Sequence, residues 1–110
     1  MASYLIQLSY GPEAVAAFVK RPQDRREVIK KLVGQIGGTL VGSWLSFGKY
    51  DAVLIVEGPD NVGIAAVSMA VTSTGAFSAF HTTPLLTAEE AMDAMKKAGK
   101  LSYKPPSGKK

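Results

Sequence analysis

The residues best suited to chemistry in this chain are few: His81, Asp51, Gln7 and the aromatics Trp44 and Tyr50. His81 is the only histidine, hence the only side chain whose ordinary pKa lies near neutrality. On a strand it could serve as a general base or as one metal ligand, or it could be structural. Asp51 follows Tyr50 in the stretch "SFGKYDAVLIVEGPD". Inside a cavity its carboxylate could act as a base. Its plainer role is to accept hydrogen bonds from Ser46 or from backbone donors near a turn. Trp44, Tyr4, Tyr50 and the amide of Gln7 suit a mostly apolar ligand pocket with a few polar anchors, and equally suit a packed interface.

The absences narrow the chemistry. There is no cysteine, which removes disulfides, thiolate metal sites and a cysteine nucleophile. One histidine cannot build a zinc site of several imidazoles within one chain. No G-x-S-x-G pattern occurs, and Gly34, Gly37 and Gly38 end a helix rather than follow a strand, the wrong place for a dinucleotide loop. The residues therefore assign no cofactor, no metal and no catalytic group.

The elements that would position these side chains are legible from periodicity. Ser3–Tyr10 alternates as a strand, with Tyr4, Ile6 and Leu8 on one face and Leu5, Gln7 and Ser9 on the other. Pro12 opens a short helix, "EAVAAFVK", which Pro22 breaks. In "DRREVIKKLVGQIGG" the residues Val28, Ile29, Leu32, Val33 and Ile36 make one apolar stripe. Arg25, Arg26, Lys30 and Lys31 lie off that stripe, on a face that could meet a phosphate but reads more plainly as solvated. Glu27 and Lys31 form a favourable pair, and Gly37-Gly38 stops the helix.

"TLVGSWLSF" and "YDAVLIVE" read as a hairpin, with Gly48-Lys49 as a two-residue type II′ turn. That turn sets Phe47 against Tyr50, Leu45 against Ala52, Ser43 against Leu54 and Val41 against Val56. On the other face it sets Ser46 against Asp51, Trp44 against Val53, Gly42 against Ile55 and Leu40 against Glu57. Asp60 caps a helix "VGIAAVSMAVTS" whose lack of charge predicts that it is covered on most sides. "AFSAFHTT" is a fourth strand closed by Pro84. "TAEEAMDAMKKAGK" is a helix with a Thr87/Glu90 capping box and an apolar face of Ala88, Ala91, Met92 and Met95.

The order β-α-β-β-α-β plus a C-terminal helix predicts an α+β, ferredoxin-like fold with a four-stranded antiparallel sheet and its helices on one face. The hairpin strands are apolar on both faces, whereas a half-solvated sheet alternates. Something must then cover the second face. The final helix is one candidate; a second copy of the chain is the other and the preferred one, giving a dimeric α/β barrel or a higher even oligomer.

Charge separates a domain from a tail. The net charge is +4, but residues 96–110 hold six lysines and no acid, while residues 1–95 hold seven Lys or Arg against nine Asp or Glu. Residues 1–95 are thus mildly acidic; the domain is read as 1–98, and 99–110 is expected to be a basic, disordered tail. An acidic domain argues against nucleic acid as partner. The N-terminus lacks the pattern of a signal peptide and no apolar run suits a membrane helix, so the expected place is the cytoplasm.

"GKYDAVLIVEGPD", with "GGTLVGSWLSF" before it and "TTPLLTAEEAM" after it, resembles the GYD-domain family, named for a Gly-Tyr-Asp signature. Here the signature stands as Gly48, Tyr50 and Asp51 with Lys49 inserted, and the resemblance runs over roughly residues 3–98. It implies a ferredoxin-like, dimeric α/β-barrel-type architecture and brings no activity or catalytic residue with it. Three readings follow. The leading one is a homo-oligomeric module with a small apolar ligand at the sheet–sheet interface, near Gln7, Trp44, Tyr50, Asp51 and His81. The alternative is a cofactor-free oxygenase or isomerase of a small apolar substrate using His81 or Asp51, which rests on fold analogy. The third is an RNA-binding sheet, which requires stacking aromatics on the central strands.

Overall fold

The computed structural model describes residues 1–106; the last residues of the expected tail, 107–110, lie outside the described part. The elements are β1 (Ala2–Tyr10), α1 (Pro12–Lys20), α2 (Arg26–Gly34), β2 (Thr39–Leu45), β3 (Ala52–Gly58), α3 (Asn61–Thr72), β4 (Phe77–Leu85) and α4 (Ala88–Ala98). The sheet runs β2-β3-β1-β4 with every pair antiparallel. This is the predicted ferredoxin-like α+β arrangement, with helices on one side of the sheet.

The core sits between that side and the helices. Tyr4, Ile6 and Leu8 of β1 and Ala52, Leu54 and Val56 of β3 are buried there against Val33 of α2 and Ile64 of α3. The caps hold as the sequence predicts. Asp60 accepts from the Gly63 N–H, and Thr87 and Glu90 form the full capping box. Gly37 and Gly75, both at φ 77°, take the left-handed positions after α2 and α3.

The hairpin differs from expectation at both ends. Its middle keeps the predicted register, from Leu45↔Ala52 to Gly42↔Ile55. There the register shifts, so that Leu40 pairs with Val56 and Thr39 with Glu57. Val41 is the extra residue and is exposed. The bulge turns Leu40 onto the core, where it packs on the buried cluster. At the loop end the Ser46 N–H still donates to the Asp51 carbonyl. Gly48 does not take positive φ, so the type II′ turn is not made. The chain forms a wider loop, and Phe47 stands fully exposed instead of stacking on Tyr50.

Other local expectations shift as well. Glu27 pairs with Lys30 rather than Lys31, at 3.3 Å. β4 runs through Pro84 to Leu85, which an edge strand tolerates. The uncharged α3 buries only Ile64 and Val67 and leaves Val62 and Met69 exposed, so nothing among the described residues covers its outer side. Likewise α4 buries no residue, and Met92 and Met95 are exposed. The Cα radius of gyration, 17.9 Å, exceeds the ~13 Å of a compact fold of this length.

Gly38 offers a direct test of the α2–β2 junction. A Cβ there would lie 2.7 Å from the Glu57 carbonyl oxygen and 3.0 Å from that of Val33, both backbone atoms. Gly38→Ala should cost about 1–3 kcal/mol in urea unfolding, as overpacking does. Gly37→Ala, strained only by its positive φ, should cost about 1 kcal/mol.

Candidate functional site

Among the described residues no helix packs closely on the side of the sheet away from α2 and α3. Register places Leu5, Gln7, Val53, Ile55, His81 and Thr83 on this open face. Among the strand residues facing that way, Glu57 is the only one with a full charge. Pairing aligns one row across all four strands: Trp44, Val53, Gln7, His81. At the usual strand spacing this row is roughly 14 Å long. Trp44 is 56% exposed, and its indole lies over Gly42, where a Cβ would collide with the ring. Gly42 thus lets the indole lie along the sheet.

The signature loop reaches this row. The Tyr50 ring meets the His81 ring edge-on, with centroids 5.5 Å apart, and the Lys49 ammonium lies 5.7 Å from the Tyr50 centroid. Asp51 secures the loop to the end of β1. Its N–H donates to the Leu8 carbonyl at 2.8 Å, and its carboxylate accepts the Tyr10 N–H at 2.9 Å. The Ser46 hydroxyl donates to the Tyr50 carbonyl, not to Asp51. So Asp51 does bind backbone, as its plainer role predicts, but the donor belongs to β1.

Of the residues expected near a cavity, Gln7, Trp44, Tyr50 and His81 share the open-face surface, while the Asp51 carboxylate is engaged at the end of β1. Tyr4 goes to the opposite side: it is buried, and its hydroxyl donates to Asn61 Oδ1 at 2.6 Å. Register explains this, because Tyr4 and Gln7 are an odd number of residues apart on one strand. Among the described residues no three His, Asp or Glu side chains gather as metal ligands. None of the helices described is long and apolar enough to cross a membrane.

Asp51→Ala should cost about 1–2 kcal/mol in chemical unfolding, because the Tyr10 N–H loses its acceptor. Asp51→Asn keeps an acceptor and should cost less.

Three cavities lie on the helix side, and none of the three includes Gln7, Trp44, Tyr50, Asp51 or His81. A groove of about 550 Å³ runs over the sheet between α1 and α2 on one wall and α3 on the other. Its walls include Ala14, Ala17 and Ala70, small residues beside the larger Phe18, Leu32 and Val71. A second opening of about 700 Å³ adjoins it beneath the α1–α2 linker, and the two share Tyr10, Phe18 and Arg25. Tyr10 packs edge-on against Phe18 at 4.9 Å and tilted against Phe77 at 5.2 Å; Phe77 meets Phe80 at 5.8 Å.

Burial raises the Tyr10 phenol above its ordinary pKa, against the pull of Arg25, and Asp51 adds to the rise. Arg26 forks onto Asp24 at 2.6–3.0 Å and holds that carboxyl down at about 2. Arg25 instead reaches only the Gln23 amide oxygen, at 3.0 Å. Arg25 is exposed, as the sequence reading has it, and it also lines the groove, which that reading does not contain.

Among curated proteins nothing matches this chain. Among solved structures, the crystal structure of FFRP-DM1 is similar in fold, with a TM-score of 0.52 at 15% identity, covering 78% of this chain and 100% of that one. Residues 4–95 match the family described as GYD domain, which spans the sheet, the signature loop and most of α4. The chain therefore belongs to the GYD-domain family.

Proposed function

We propose that the protein works as a homodimer, or a larger even assembly, in which two open sheet faces pack together as an α/β barrel. In this reading the row Trp44–Val53–Gln7–His81 encloses a small, mostly apolar ligand. The observation that carries it is the open face itself. Leu5, Val53, Ile55 and Trp44 lie on it, with Glu57 the only charged strand residue. An apolar sheet face of this extent is costly to leave in water and typically marks an interface. Gln7 and His81 supply the few polar groups that such a site uses to orient a ligand. The central strands offer Leu5, Gln7, Val53 and Ile55 here, without the aromatics that base stacking needs.

Native mass spectrometry of the purified protein tests the reading. The expected result is an even oligomer carrying added small-molecule mass, with Gln7→Ala and His81→Ala each losing that mass while the oligomer persists. An even oligomer with no added mass would leave a packed interface and remove the ligand. A monomer at micromolar concentration would sink the whole reading.

A further inference from the structure

We infer that the helix-side groove binds a medium-chain carboxylate, with its apolar chain along the aromatic wall and its carboxylate at Arg25. This site is on the opposite side of the sheet from the proposed barrel interior and does not depend on it.

The volume, about 550 Å³, lies in the range of small-molecule sites. Folded interiors are close-packed, so an apolar space of this size above the sheet centre has either to close or to be filled. Ala14 and Ala17 of α1 and Ala70 of α3 are among its lining residues, and these short side chains leave space between the helices. The lining is otherwise aliphatic and aromatic, and Arg25 is its only charged member.

Charge decides the head group. In the adjoining opening, Asp24 and Arg26 neutralise each other in a direct ion pair. Arg25 has no carboxylate partner among the described residues and makes one bond to a neutral amide. A guanidinium with free N–H groups at the end of an apolar channel selects an anion, and a carboxylate matches its planar fork. The half-buried Tyr10 phenol, unionised at neutral pH, sits at the same junction of the two openings. The ligand is therefore an amphiphile with a single anionic end, distinct from a neutral apolar molecule.

Titration of the full chain with decanoate, and in parallel with decanol, tests this by calorimetry. Decanoate should bind once per chain. Arg25→Gln should weaken decanoate about tenfold, the scale of one charge-assisted contact, and leave decanol unchanged. Ala17→Trp, which fills the groove, should abolish decanoate binding with the circular dichroism unchanged; Ala70→Phe on the opposite wall serves if that variant misfolds. Trp44→Ala, on the open face, should have no effect. The inference is overturned if decanoate fails to bind at millimolar concentration, if Arg25→Gln binds it as the parent does, or if neither filling variant blocks it. It is also overturned if Trp44→Ala removes the binding, because the ligand would then occupy the open face.

Discussion

Ile55→Lys should convert the proposed face-to-face assembly to monomer while leaving the fold intact. Ile55 sits mid-sheet on the open face, between Leu5 of β1 and Gly42 of β2. In a single chain that face meets water, so a lysine stem can lie along the sheet with its ammonium solvated. In a face-to-face dimer the contact is isologous, and each copy brings the same charge to the same dry layer. A buried charge without a partner costs several kcal/mol. A loss of about 4 kcal/mol weakens association about a thousandfold. Sedimentation velocity across a concentration series would read this directly. Val19→Lys, at an exposed position on α1, should leave association unchanged. If Ile55→Lys still dimerises, the sheets do not face each other. The exposed apolar side of α3 then becomes the surface to test, through Met69→Lys.

That prediction rests on a feature legible before any coordinates: β3 is apolar on both faces, and alternation alone placed Leu54 and Val56 against Val53 and Ile55. The order of elements, the caps of α3 and α4 and the division of β1 into two faces were legible in the same way, because period and capping chemistry are local; which face of β1 is the core was not, since Tyr4 was grouped with Gln7. The Val41 bulge was not. It arises because Leu40 gains by burial beside Val56, a long-range preference that a hairpin count from the turn outward cannot see. The Gly48 turn was misread for the same reason. Asp51 is held by the Leu8 carbonyl and the Tyr10 N–H on another strand, and that attachment opens the loop wider than two residues. Gln7, Trp44 and His81 fell into one row because strand pairing put them there, and each was singled out by residue type alone. The groove was illegible for a different reason. Arg25 and the alanines of α1 and α3 line one groove only through tertiary packing; helix periodicity puts Arg25 at the solvent side, where it stands, and carries no sign of the groove.

Tyr4→Ala should be the most destabilising single change in the domain, at about 3–5 kcal/mol, the range for deleting a buried aromatic. Tyr4 is 2% exposed on a central strand, and its hydroxyl ties β1 to the first residue of α3 through Asn61. For a domain of this size that loss is a large part of the total stability. Two further variants separate packing from the hydrogen bond. Tyr4→Phe keeps the ring and should cost only about 1 kcal/mol, because Asn61 is exposed and can turn to water. Asn61→Ala, which leaves the buried Tyr4 hydroxyl without its acceptor, should cost about 1–3 kcal/mol alone and almost nothing in the Tyr4→Phe background, since the two changes remove one shared bond. Urea unfolding of the four proteins, the parent with Tyr4→Phe, Asn61→Ala and their double variant, completes the cycle. Additive costs would mean that the hydroxyl and the amide act independently, and that ring packing alone fastens α3 to the sheet.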